Sequence, residues 1–379
     1  MSPRPAFVLV LIFTAAAIAV AGRPDPNLKP HIDSLSAFEY PTRMNAARML
    51  RRTAAAEAVP ALVEAVRSHS DQFVRYRALV VLTSFNDPAT GDLMRSLMAD
   101  RNDRVREVAY RWFERHPDAG LALPLLAALE TEQAEFVRPA LVRAVAALPR
   151  DEVVHRTLVA EVGRGFDFFR SAVIEVLGQR RAVYALDAIA GVAASEGPLQ
   201  DDAVLALGRI GGRRALKTLM SVKSSPGVAA ALEAAECLLG DACTSHITSL
   251  TNIGRNPGRP EAVRAAVTAL AAVAEVHEEA RAALVELADG ASERLQHEVA
   301  LALSAVALRQ PAEAVEWLSQ AADQERNRWI GLLREGFQSL EEDFAEEQFF
   351  AAVRAAYWKA AEGSATRTVA ATLLDRLDF

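Results

Sequence analysis

The sequence has few of the residues that chemistry at a protein site usually requires. It contains two cysteines and seven histidines among 379 residues, and no two histidines lie at the spacing of a zinc site. The chain has neither a phosphate-binding glycine loop nor a nucleophile elbow. We therefore expect no catalytic residue, no cofactor and no metal site.

Lysine, aromatic residues and strand-forming patterns are also scarce. Only four of the 42 basic residues are lysine, and aromatic residues make up 6% of the chain. Because 51% of the residues are hydrophobic, the chain can bury a large core, which must consist mainly of alanine, leucine and valine. The formal net charge of -7 argues against general nucleic-acid binding.

The N-terminal residues have the pattern of an export signal. Arg4 precedes an uncharged run over residues 6–21, and Ala19, Val20 and Ala21 form a small-x-small cleavage site. We interpret residues 1–21 as a signal peptide and residues 22–33 as a linker. The protein would then be periplasmic or secreted. The alternative is an inner-membrane anchor formed by residues 6–21, which is the only membrane contact that we expect.

A repeat of about 32 residues runs through the rest of the chain. Its most regular position, here called the column, recurs every 30–32 residues, at Arg43, Arg75, Arg106, Arg138, Arg170, Gln200, Leu232, Arg264, Gln296 and Arg328. Apolar residues fall at offsets of −1, +2, +3 and +6 from the column, which is one face of an α-helix. A turn and a second apolar stretch follow, so each repeat predicts two helices.

An acidic residue precedes the column in nine of the ten copies, as in Asp71, Asp103 and Asp167. An acid at this position caps the start of a helix and favours the positive end of its dipole. We predict that these acids pair with the column arginines, in their own or a neighbouring repeat. The pairs would form a ladder that fixes the register between repeats.

The repeat cores resemble those of HEAT-like proteins, in particular the short repeats of the phycobilin lyases. The resemblance rests on Val74-Arg75 with Ala78, on Val105-Arg106 with Ala109, and on the pairs Leu177-Gly178 and Leu207-Gly208. It implies an all-α fold, an α-solenoid that winds as a right-handed superhelix of about ten helical hairpins over residues 34–356. A capping helix would occupy residues 357–379. First helices would form the convex side, and second helices the concave side that binds partners.

Aromatic residues and acidic residues both concentrate near the C-terminus. Residues 261–360 contain 18 acidic and nine basic residues, so a basic partner would be attracted there. The aromatic residues have two interpretations, a sealed core in the last repeats or a patch that binds a partner; the patch would contain Trp329, Phe337, Phe349, Phe350 and Trp358.

Cys237 and Cys243 flank a predicted turn, and they are either joined in a disulfide or buried as free thiols. Taken together, these features predict an exported bacterial protein that is a non-catalytic scaffold and binds protein partners on its concave face, without nucleic acid. The resemblance also permits an alternative, a lyase-like or chaperone-like protein that handles a bound chromophore or small ligand.

Overall fold

The computed structural model describes residues 27–222, 227–240, 243–256, 258–340 and 343–376. The predicted signal peptide, and the predicted linker as far as residue 26, lie outside the described residues. The end of that linker is not extended: α1 spans Lys29–Asp33, and the side chains of Leu28 and Ile32 are buried in the core. The folded array therefore starts earlier than residue 34.

The described residues form helices and turns, with no strand among them, which confirms an all-α solenoid. The first helices of ten successive pairs are α2 (Tyr40–Arg52), α4 (Gln72–Thr83), α6 (Asp103–Arg115), α8 (Arg138–Ala147), α10 (Asp167–Gln179), α12 (Gln200–Ile210), α14 (Val228–Cys237), α16 (Pro260–Ala274), α18 (Glu293–Arg309) and α20 (Asp323–Leu340). The second helices are α3 (Ala55–Ser68), α5 (Gly91–Leu97), α7 (Ala122–Thr131), α9 (Glu152–Glu161), α11 (Leu186–Ala193), α13 (Gly212–Leu219), α15 (Cys243–Gly254), α17 (Glu278–Ala288), α19 (Pro311–Gln320) and α21 (Asp343–Lys359).

The chain ends in a single helix, α22, which spans Ala365–Arg376 and packs against α19 and α21. The predicted boundary at residue 357 is therefore misplaced, because Tyr357 still belongs to α21. None of the helices in the described part of the chain is long and apolar enough to cross a membrane.

The first helices lie on the inner side of the curve, which corrects the predicted orientation. Neighbouring first helices pack closely along most of the array, and α12 even reaches α16 past α14, whereas neighbouring second helices contact each other much less. Glycine permits this approach, because a Cβ atom on Gly178 would lie 2.8 Å from the Ala206 Cα atom, and one on Gly208 would lie 2.9 Å from the Ala231 carbonyl oxygen. Small residues thus draw the inner helices together.

The hydrophobic core has two parts that share α14. Ala231 and Ala235 face the N-terminal part, whereas Ala230, Ala234 and Cys237 face the C-terminal part. Six of the ten α14 residues are alanine or cysteine, and these small side chains contribute to both halves of the core.

The two ends of the array contact each other. Arg354 on α21 donates a hydrogen bond of 2.8 Å to the Thr53 carbonyl oxygen, and its guanidinium carbon lies 4.3 Å from the centre of the Phe85 ring. Further inside, Arg115 on α6 donates a hydrogen bond of 3.0 Å to the Leu308 carbonyl oxygen at the end of α18. These contacts narrow the concave face that the sequence suggested as a binding surface.

Candidate functional site

The column side chains bind the ends of the preceding second helices. Arg75 Nε donates to the Val66 carbonyl oxygen at 2.7 Å, and Arg170 Nε donates to the Val162 carbonyl oxygen at 3.0 Å. Gln200 makes the equivalent bond to Ala193. The last carbonyl groups of a helix lack partners within that helix, so these three column residues each cap the helix before them.

The acids that pair with the column arginines differ from those predicted. Arg75 pairs with Asp100 at 2.8 Å, Arg106 with Glu132 at 2.8 Å and Arg138 with Glu161 at 3.7 Å. Each acid lies at the end of the second helix of the same repeat, or up to three residues after it. Of the predicted acids, Asp167 pairs with Arg170, while Asp71 and Asp103 accept hydrogen bonds from backbone N–H groups at the helix starts.

The Arg106–Glu132 pair is the most complete contact of the ladder. Arg106 donates from Nε and Nη2 to the two Glu132 oxygens, each at 2.8 Å, and from Nη1 to the Asp100 carbonyl oxygen. Burial raises the pKa of Glu132, but hydrogen bonds from Arg106 and from the Ala134 backbone outweigh it, so the pKa lies below its ordinary value. Burial, with the charge of Glu132 nearby, raises the pKa of Tyr110 to about 12.

The remaining column arginines depart from this pattern. Arg43 donates to the Ala37 and Phe38 carbonyl oxygens, and Arg264 pairs with Glu298 while remaining 61% exposed. Arg328 pairs with Asp289 at 2.8 Å. In this last repeat the capping position belongs to Arg326, two residues earlier, which donates to Leu318 and Ala321.

The predicted aromatic patch is mostly core. Trp329, Phe337, Phe349 and Phe350 are at most 6% exposed, and only Trp358, at 67%, faces solvent. Phe350 also lies against the guanidinium group of Arg51, 5.6 Å away, where the two ends of the array meet. These rings seal the C-terminal repeats and their contact with the N-terminal repeats, so they are not available to a partner.

The sulfur atoms of Cys237 and Cys243 are joined in a disulfide that closes the turn between α14 and α15. This turn belongs to the repeat in which Leu232 replaces the column arginine. The covalent bond thus ties together a helix pair whose column side chain, unlike arginine or glutamine, can donate no hydrogen bond.

A different set of aromatic side chains is exposed, and we call it the aromatic row. Its members lie just before, or in the first turn of, the first helices of repeats one, two, four and five: Phe38, Tyr40, Phe73, Phe136, Phe166 and Phe168. Their exposed fractions range from 40% for Phe136 to 94% for Phe38. Monomeric proteins rarely expose so many large rings along one edge.

The row follows the register of the repeat. Phe73, Phe136 and Phe168 each stand two residues before a column arginine, and the third repeat has Arg104 at this offset. The guanidinium carbon of Arg104 lies 4.8 Å from the centre of the Phe136 ring, so the positions of adjacent repeats are in contact. This fixed offset was the signal in the sequence that would have revealed the row.

The inner face retains a cavity of about 410 Å³ between α10, α12 and α16. Burial, aided by the nearby Arg309, lowers the pKa of Arg209 in its lining, and the buried Arg209 Nε has no hydrogen-bond partner among the described residues. Burial raises the pKa of Asp202 on the same wall, and the charges of Glu175 and Asp201 add to this effect. The cavity therefore presents both signs of charge.

A family model for HEAT repeats matches residues 28–112. This part of the chain, which covers the first two helix pairs and most of α6, consists of HEAT repeats. The match spans the first repeats, where the arginine column is most regular. A search of the curated proteins finds no match to this sequence.

Solved structures with a similar arrangement of helices include three kinds of helical-repeat protein. The complex of CpcE and CpcF of phycocyanin lyase from Nostoc sp. PCC7120 is 18% identical with a TM-score of 0.39, over 64% of this chain and 98% of that chain. Importin beta is 12% identical with a TM-score of 0.43, over 93% and 65%. Kap121p bound to RanGTP is 15% identical with a TM-score of 0.32, over 93% and 36%. The chain thus spans about a third of the Kap121p length. Similarity at this level transfers no activity.

Proposed function

We propose that this HEAT-repeat protein is a non-catalytic scaffold that binds a segment of another protein along the aromatic row. The observation that carries the proposal is the recurrence of exposed phenylalanines at one offset of the repeat, in Phe73, Phe136 and Phe168. Aromatic side chains supply much of the binding energy of protein interfaces. A ring repeated in register supports a ligand that runs along the array.

The size of the row fits a peptide-like ligand. Its six rings expose roughly 700 Å² together, if each ring has about 200 Å² to bury; one side of a standard interface buries about 800 Å². Four steps of about 8–10 Å separate the first and fifth repeats, so the row extends for about 30–40 Å. An extended segment of about ten to twelve residues covers that length.

The arginines beside these rings indicate which charge the ligand carries. Arg43 lies 5.7 Å from the Tyr40 ring centre, Arg77 lies 5.4 Å from that of Phe73, and Arg104 stacks on Phe136. Residues 41–120 carry 13 arginines and ten acidic residues. A ligand of the row would therefore combine apolar side chains with carboxylates, unlike the basic partner expected for the acidic C-terminal third.

The test is partner capture with matched variants. The protein is immobilised and incubated with the envelope fraction of its native host; captured proteins are identified, purified and titrated back. We expect the triple variant Phe73→Ser, Phe136→Ser, Phe168→Ser to bind at least about 100-fold more weakly, since each interface ring contributes about 1–2 kcal/mol. The control exchanges three exposed apolar side chains outside the row for serine, at Leu123, Met220 and Val276. Equal binding by both variants, or turnover that depends on one side chain, would contradict the proposal.

We further propose that the scaffold acts outside the cytoplasm, which rests on the signal pattern of residues 1–21. The intact mass of the protein purified from its native host decides between the alternatives. A chain that begins near Gly22 supports export with cleavage, and a full-length chain in the membrane fraction supports the anchor. A full-length chain in the cytoplasmic fraction contradicts both.

A further inference from the structure

Three side chains that commonly bind metal ions meet where α14 and α15 pack together. Glu233 and Glu236 lie one turn apart on α14, and His246 lies on α15. His246 Nδ1 is 2.7 Å from one Glu233 oxygen and 3.5 Å from one Glu236 oxygen. In the described part of the chain, His246 is the one histidine within 4.0 Å of two carboxylates.

The spacing of these atoms is close to that of ligands around one ion. Two ligands of a tetrahedral zinc ion, each bound at about 2.0–2.1 Å, lie about 3.3 Å apart. The distances of His246 to the two carboxylates fall on either side of this value, and the ligand atoms of all three side chains lie within 4.8 Å of one another. Two carboxylates three residues apart on a helix also repel each other, and a cation removes that repulsion.

The surroundings hold these ligands in place and leave access from solvent. The Ser249 hydroxyl donates a hydrogen bond of 2.6 Å to the other Glu233 oxygen, which is the kind of outer contact that orients a ligand carboxylate. The Cys237–Cys243 disulfide fixes the adjoining turn. The Glu236 side chain is 46% exposed, so an ion can enter and water can complete its coordination.

We propose that Glu233, Glu236 and His246 bind a divalent transition-metal ion, with Zn²⁺ as the representative. One imidazole with two carboxylates suits zinc, nickel or manganese better than calcium, which prefers oxygen ligands alone. The ion joins α14 to α15 in the repeat whose column residue is Leu232. It thereby links the two helices of this repeat, as the column arginine does in repeats two to four through an acid at or just after the end of the second helix.

The experiment is a titration of the purified, oxidised protein with Zn²⁺ by calorimetry, and with Co²⁺ by absorption spectroscopy. We expect one ion per chain. His246→Ala and Glu233→Gln each lower the affinity for Zn²⁺ at least about 100-fold, and Ser249→Ala lowers it about tenfold, as measured for outer contacts of metal ligands. The matched control is His297→Ala, since His297 pairs with the single carboxylate of Glu335 at 3.5 Å.

Three results would overturn the proposal: no binding by the oxidised protein, unchanged affinity in His246→Ala and Glu233→Gln, or an equal loss in His297→Ala. A thiolate-to-cobalt absorption band would also overturn it, because the ion would then be bound by molecules in which the disulfide has been reduced, through Cys237, Cys243 and His277, whose ligand atoms lie within 4.8 Å of one another. Circular dichroism of each variant without metal shows whether the fold is retained.

Discussion

Close packing of the inner helices predicts that alanine substitutions at two glycines of α20 have opposite effects on the free energy of unfolding. A Cβ atom on Gly336 would overlap the Ala300 carbonyl group and the Ser304 hydroxyl of α18, with the Ala300 carbonyl carbon 2.8 Å away. The backbone atoms cannot rotate out of the way, so the helices must separate. By contrast, a Cβ atom on Gly331 would meet no atom within 4 Å. The two positions therefore share a helix but differ in their contact with α18.

The magnitudes follow from two competing effects. Alanine stabilises the interior of a helix by about 0.5–1 kcal/mol relative to glycine. Overpacking of a tight contact costs about 1–3 kcal/mol, and we take the upper part of that range because the overlap involves backbone. We expect Gly331→Ala to raise the free energy of unfolding by about 0.5–1 kcal/mol and Gly336→Ala to lower it by about 2 kcal/mol.

Urea unfolding followed by circular dichroism measures both changes in the full-length protein. Small-angle X-ray scattering then shows whether Gly336→Ala also enlarges the radius of gyration, as expected if the inner helices move apart. If Gly336→Ala stabilises the protein as much as Gly331→Ala does, the close approach of α18 and α20 is wrong, and so is its use to explain the curvature.

Three further predictions concern the ladder, the disulfide and the closure. Arg106→Ala leaves Glu132 buried without its main partner and should lower the free energy of unfolding by about 3 kcal/mol. In the unchanged protein, the lowered pKa of Glu132 adds stability that is present above its unfolded pKa and is lost as the pH falls through its folded pKa. This loss of stability in acid titrations should be absent in Arg106→Ala. Cys237→Ser should cost about 2 kcal/mol, the value for a loop of this length, in urea unfolding without reductant. Arg354→Ala removes the bond to Thr53 and should expand the particle in scattering experiments, whereas an unchanged profile would show that the other contacts suffice.

The regular repeats could be predicted from sequence because each position has a constant environment. The residues one before the column, such as Val74, Val105, Val137 and Phe169, are at most 1% exposed. This regularity allowed the helix pairs and the core positions to be predicted. The acids that pair with the column arginines were harder to predict. Asp100, Glu132 and Glu161 lie at or just after the ends of second helices, and the lengths of these helices differ between repeats. Their distance from the column in sequence says little about their distance in space.

The curvature and the contact between the ends could not be predicted from the repeat pattern. Both depend on small differences between repeats that add up along the array. A few positions, among them Gly178, Gly208 and Gly336, set how closely the inner helices approach. Whether Arg354 then reaches Thr53, about 300 positions away, depends on the rotations and translations between all the successive repeats. The sequence pattern of a single repeat does not determine their total.

The aromatic residues show most directly how register separates core from surface. Phe168 and Phe169 are adjacent in sequence, yet Phe168 is 64% exposed and Phe169 is 1% exposed. Their offsets from Arg170 decide the difference, because the position one before the column faces the core and the position two before it faces solvent. In the last repeat the cap shifts from Arg328 to Arg326, so the same offsets no longer describe Trp329 and its neighbours. Aromatic residues are therefore evidence for a binding surface only where the register of the repeat is intact, and the exposed rings that meet this condition lie within the first five repeats.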